Sequence, residues 1–239
     1  MDIKYNRWKN ITAVMLGTIN NETFFKARSV SVVLDELRKW NENAYVPKVI
    51  SIGPRYNGRQ ELLPMEEINW RCMFHLFNRS LGYTISPDKY VNNCMDTILK
   101  MDVAVRSSYL GEIELDRYDL AAIVFNDGCF LLEFLISGSS IDSVIPPFGG
   151  RISAIGPNPA LEIGKMEVVM RDHTLLENQI PLFVLGVLFQ NIFDKGFHYL
   201  VHEIHNRALS LFGFHGDLKS VDSKFAHFLE LASWNINKE

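Results

Sequence analysis

The chain has 239 residues, 47% of them hydrophobic and 22% charged, which is enough apolar material for one sizeable core or two small ones. A net charge of −4 with pI near 6.0 excludes a general nucleic-acid binder, which would carry a basic surplus. Three cysteines (Cys72, Cys94, Cys129) with no CxxC spacing argue against a disulfide framework or a structural zinc site, and fit a reducing compartment.

At the N-terminus, Lys4, Arg7 and Lys9 precede the apolar stretch Ile11–Ile19. Thr12, Gly17 and Thr18 interrupt it and no small-x-small cleavage site follows, so residues 1–23 read as a variable segment rather than a secretory signal. Val30, Val33, Leu34, Leu37 and Trp40 recur at three-and-four spacing and predict an amphipathic helix over 24–40. Pro47, the run Val49–Ile52 and Gly53-Pro54 then predict a short extended segment around 47–53 that ends in a turn.

Pro64 opens the next helix, with Glu66 and Glu67 placed to complement its dipole. Its buried stripe runs through Ile68, Cys72 and Leu76, with Trp70, Met73 and Phe77 beside it. Ser86-Pro87-Asp88 is the start signal of a third helix, whose apolar stripe runs from Tyr90 through Cys94 and Ile98 to Val105. A fourth covers 116–137 and is nearly apolar from Leu120 to Ile136, which marks it as central. Gly128 in its middle predicts a close helix contact. Residues 137–160, rich in Ser, Gly and Pro, read as a flexible loop. Helices follow at 161–179, 181–195, 197–213 and 221–234. No window reaches the roughly 18–20 apolar residues that span a bilayer, the nearest being Ile180–Phe189. The reading is a mainly α, single multi-helix domain over 24–239.

Four segments in this order carry a resemblance: AYVPKVISIGPRYNG (44–58), MEEINWRCMF (65–74), VRSSYLGEIELDRYDLAAIVFNDGCFLLEFL (105–135) and RDHTLLENQIPLFVLGVLF (171–189). AHFLEL (226–231) is a weaker echo. Together they resemble the plant family called domain of unknown function 247, or uncharacterised protein family 0481. The resemblance implies a largely helical plant protein. It also implies relatives with longer chains and a hydrophobic span near the C-terminus, hence membrane association of many of them. Some grass members are implicated in pollen–stigma self-incompatibility, which implies recognition rather than metabolism. The resemblance brings no catalytic activity and no cofactor. This chain departs from the pattern twice. Tyr56 and Asn57 stand where the family usually has a histidine pair, so a function resting on those imidazoles is absent. The chain also stops at Glu239, which implies a short member or a truncated gene product. If the missing region normally packs against this one, apolar surface is left exposed.

The residues that mark the family are Gly53, Pro54, Asp127, Gly128, Glu177, Asn178, Gln179 and Pro181. The polar insert Glu177-Asn178-Gln179 lies within an apolar run, and buried polar groups cost about 1–3 kcal/mol each when unpaired. A carboxylate site with two amide donors is one reading. The structural reading is a helix junction. Asn178 or Gln179 caps the helix beginning at Pro181, and Glu177 meets a buried arginine, Arg106 or Arg171. Asp127 and Glu133 are six residues apart, roughly 600° of helical rotation, so they do not converge as an acid–base pair. Asp127 pairing with Arg106 is the expected arrangement. Cys129 reads as a packed, inert thiol.

His198, His202 and His205 share one helix face at a spacing that suits metal ligands. In HEIHN, however, Asn206 stands where the zincin motif needs its second histidine. No nucleophile elbow, phosphate-binding loop or dinucleotide fingerprint is present. The residues leave enzymatic activity open and weigh against it. The leading reading is a non-catalytic protein that recognises an unidentified protein partner, cytoplasmic or peripheral to a membrane, with no cofactor and no nucleic acid. The rivals are a metal-dependent enzyme using the histidine face and a degenerate truncated fragment.

Overall fold

A computed structural model describes residues 30–81, 88–136 and 166–193. These residues form seven α-helices: α1 (Asp35–Trp40), α2 (Pro64–Leu81), α3 (Asp88–Lys100), α4 (Asp102–Ser107), α5 (Arg117–Ile136), α6 (Met166–His173) and α7 (Leu182–Phe193). A 3-10 turn at Glu42–Ala44 follows α1. Among the described residues there is no strand, only an isolated parallel bridge between Val30 and Tyr109. The mainly α expectation therefore holds. No described helix is long and apolar enough to cross a membrane.

The apolar sequence of α5 makes it the centre. Asp116 caps its start, accepting the backbone N–H groups of Tyr118 and Asp119 at 2.7 and 2.9 Å. From Leu120 to Ile136 nearly every side chain is buried, and α2, α3, α4 and α7 all pack against this helix. The greasy all-round pattern thus becomes a helix covered on all sides. At Gly128 a Cβ would collide with a Leu188 methyl of α7, so the glycine is what lets α5 and α7 approach closely. Cys72, Cys94 and Cys129 are free, buried thiols in this core, and burial pushes Cys94 up to about 12. Trp70 departs from its assigned stripe: Cys72, Leu76 and Phe77 are buried, but Trp70 is exposed.

Three boundaries differ from the sequence reading. Of the predicted helix 24–40, residues 24–29 lie outside the described residues and 30–34 are not helical, because Val30 is held in an isolated bridge with Tyr109, so the helix begins at Asp35. Leu34, Leu37 and Trp40 are exposed rather than core. The predicted third helix divides at Met101, so Val105 belongs to α4, where it is buried. The predicted helix 161–179 ends at His173, where side-chain amides take over the carbonyls of its last turn. The loop 137–160, the helix start at Ser86-Pro87 and the helices at 197–213 and 221–234 lie outside the described residues.

Candidate functional site

The polar insert sits between α6 and α7 and is fully packed. Glu177 is 2% exposed. Its Oε2 accepts from the Arg38 guanidinium and from the Tyr56 hydroxyl, both at 2.5 Å, and its Oε1 accepts the Val33 backbone N–H at 2.9 Å. Arg55 adds a longer ion pair at 3.5 Å. Burial would raise the Glu177 carboxyl, but the bonds from Arg38, Tyr56 and Val33 outweigh it and hold the group below the usual carboxylate range. The expected buried arginine partner is present, yet it is neither Arg106 nor Arg171. Arg106 is occupied by Asp102 and by the carbonyls of Ile113 and Leu115. Arg171 binds Asp172 and the carbonyls of Asn43, Ala44 and Val46.

The remaining polar side chains of this region grip one extended segment. The Asp172 Oδ2 accepts the N–H groups of Lys48, Val49 and Ile50 at 2.9, 2.8 and 3.1 Å. Asn178 continues the ladder, accepting the Ile52 N–H at 2.7 Å and donating to the Ile50 carbonyl at 3.1 Å. It also donates to the carbonyl of Asp172, while Gln179 donates to those of His173 and Leu175. Both amides therefore close the end of α6 rather than capping the helix after Pro181. A segment outside any helix or sheet needs partners for its buried N–H groups, and the side chains of 172–179 supply them.

Gly53 ends the ladder. Its N–H donates to the Asp127 Oδ2 at 2.7 Å, and it lies at φ +80 directly beneath the Gln179 carbonyl. The Tyr109 hydroxyl donates to that same carbonyl at 3.0 Å. Asp127 thus pairs with Gly53 and, more loosely, with Asn69 at 3.4 Å, not with Arg106 as the sequence suggested. Burial pushes its carboxyl up to about 8, against the opposing pull of the Gly53 N–H. Glu133 faces elsewhere, bound to His75 at 2.8 Å and Arg79 at 3.0 Å. The two carboxylates do not converge, as their rotation along α5 predicted.

The geometry is that of a clasp. Residues from distant parts of the chain meet in it: Gly53 after the segment held by Asp172, Asp127 on α5, and Glu177, Asn178 and Gln179 between α6 and α7. Pro54 and Pro181 flank it, and Gly128 seats α7 against α5. Both oxygens of Glu177 are occupied by internal donors, so its chemistry is binding rather than proton transfer. A cleft of about 340 Å³, lined by Val30, Arg55, Tyr109 and Glu112, ends on Glu177. The sequence did not single out Asp172, Arg38, Tyr56 or Asn69 for these roles, because each acts over more than fifty residues of separation and leaves no local pattern. His198, His202 and His205 lie outside the described residues. Among the described residues no three His, Cys, Asp or Glu side chains are grouped to hold a metal ion.

A family model described as a plant protein of unknown function matches residues 30–239. The chain is similar to the UPF0481 protein At3g47200 of Arabidopsis thaliana, 30% identical over 151 residues, which are 62% of this chain and 28% of that protein. It is also similar to the putative UPF0481 protein At3g02645 of the same plant, 26% identical over 145 residues, 60% of this chain and 23% of that protein. The chain therefore aligns with only about a quarter of the length of these relatives. No solved structure matches.

Proposed function

The chain belongs to the plant family of unknown function known as domain of unknown function 247, and from that premise we propose that it acts by non-catalytic recognition of another protein. The observation that carries this reading is the outer face of α1. Leu34, Leu37 and Trp40 follow one another at i, i+3 and i+6, and they are 65%, 49% and 89% exposed. Arg38, on the same helix, ties α1 to Glu177. The clasp thus holds a tryptophan and two leucines toward solvent on an anchored helix, and tryptophan is among the residues that most often dominate binding energy at interfaces.

The partner in this reading is an apolar protein surface, met in the cytoplasm or at the periphery of a membrane. The domain limits belong to the same proposal: a variable segment over 1–23 and a helical domain over 24–239, with a flexible loop at 137–160. Affinity capture from plant tissue with the folded chain and with Leu37→Ser/Trp40→Ser tests it. Specific partners retained by the parent chain should be lost from the double variant, with thermal unfolding unchanged because both side chains are exposed. Capture of the same proteins at the same yield by the variant would remove this surface from the proposal.

A further inference from the structure

A second cavity, of about 400 Å³, lies between α2, α3, α5 and the turn after Gly53, with Ser51 and Asp127 in its lining. Three buried polar oxygens along its lining have no hydrogen-bond partner: the Ser51 hydroxyl and the amide oxygens of Asn69 and Asn126. Asn69 is only 4% exposed. Buried polar atoms of this kind are rare in folded proteins, and three in one cavity mark a place where donors are missing. Among the described lining residues none is basic, and the two ionisable ones, Glu66 and Asp127, are acidic. Most of the rest of the wall, Asn57 apart, is apolar and adaptable, with Trp70 together with Met65, Met73, Met95 and Phe125.

We propose that this cavity binds a small organic cation, a protonated amine carrying an apolar body. An ammonium group has three N–H donors and no acceptor, which complements two unpartnered amide oxygens and a hydroxyl oxygen that can also accept. Glu66 favours its charge, and the indole face of Trp70 offers a cation–π contact. The volume falls in the range of small-molecule sites. An anionic ligand would meet Glu66 with no basic side chain in the described lining. This inference stands on its own observations and does not depend on the recognition surface of α1.

Isothermal calorimetry on the folded chain with three probes of one shape tests it: phenethylamine, phenethyl alcohol and hydrocinnamate. Phenethylamine should bind below a millimolar, the alcohol about tenfold more weakly or worse, and the acid not at all, since a bond to a charged donor exceeds a neutral one by roughly that factor. Asn126→Leu should weaken phenethylamine about tenfold while leaving the thermal midpoint unchanged or higher, because the acceptor it removes is unpartnered in the folded chain. Val91→Phe, which fills the cavity from α3, should also abolish binding. No phenethylamine binding at several millimolar, equal affinity for amine and alcohol, or undiminished amine binding in either folded variant would overturn the proposal.

Discussion

Asp127 shows how one side chain can serve two neighbours. One oxygen accepts the Gly53 N–H and so fixes the turn, while the other faces Asn69. Full burial keeps the carboxyl protonated up to about pH 8, and Glu66 nearby acts in the same direction. A folded-state value raised above the unfolded one, near 3.8, means that folding takes up a proton. The associated stability is complete below about pH 4 and is lost as pH rises through about 8. Between about pH 5 and about pH 8, Asp127→Asn, still able to accept from Gly53, should lose about 2–4 kcal/mol less than the parent chain in urea unfolding, a difference from which the opposite trend of buried His173, pushed down to about 4, cancels. Equal slopes for both proteins would show that Asp127 ionises normally. Glu177 does not confuse this window, because its lowered value confines its own loss of stability to pH below about 4.5. Tyr56 was expected from the sequence only as the absence of an imidazole. In the fold its hydroxyl donates to Glu177, so the position keeps a polar role in the clasp.

At the scale of elements, the segment 47–53 is held by side chains in place of a helix or a sheet, with three successive N–H groups converging on one Asp172 oxygen. Its far end depends on Gly53, where a Cβ would strike the Gln179 backbone carbonyl in a conformation that L-residues disfavour. Gly53→Ala should cost about 3 kcal/mol, combining backbone strain of about 1–2 kcal/mol with the displaced Tyr109 bond of about 1 kcal/mol. Gly58→Ala has a similar φ of +76 but open space around it, so it should cost only the backbone strain. Equal urea midpoints for the two variants would contradict the close approach. The helices α2, α5 and α7 were legible in the sequence because their apolar periods match their burial. The helix α1 was not legible over its predicted length. Its residues 30–34 follow helical spacing, but Val30 is captured by hydrogen bonds with Ser108 and Leu110, a tertiary effect that no local pattern announces. The same holds for α6, whose end is set by amides arriving from Asn178 and Gln179.

Across the whole molecule, segments that look like separate family signatures are parts of one assembly. The run 44–58 is the held segment, 105–135 supplies Tyr109 and Asp127, and 171–189 supplies the grip and α7. That Glu177 is buried and paired with an arginine could be read from chemistry alone, since an isolated carboxylate is untenable in an apolar run. Which arginine could not, because Arg38 lies 139 residues away and is joined to Glu177 only by the fold. The clasp is also what anchors α1, so the recognition proposal rests on its integrity. A double-mutant cycle on Arg38→Leu and Glu177→Leu by urea unfolding measures that integrity most directly. Glu177→Leu alone should cost about 3–5 kcal/mol, and the pair should be coupled by more than about 1 kcal/mol, the double variant costing clearly less than the sum of the singles. Costs that add to within about 0.5 kcal/mol would contradict the clasp and leave Glu177 without the partner assigned to it here.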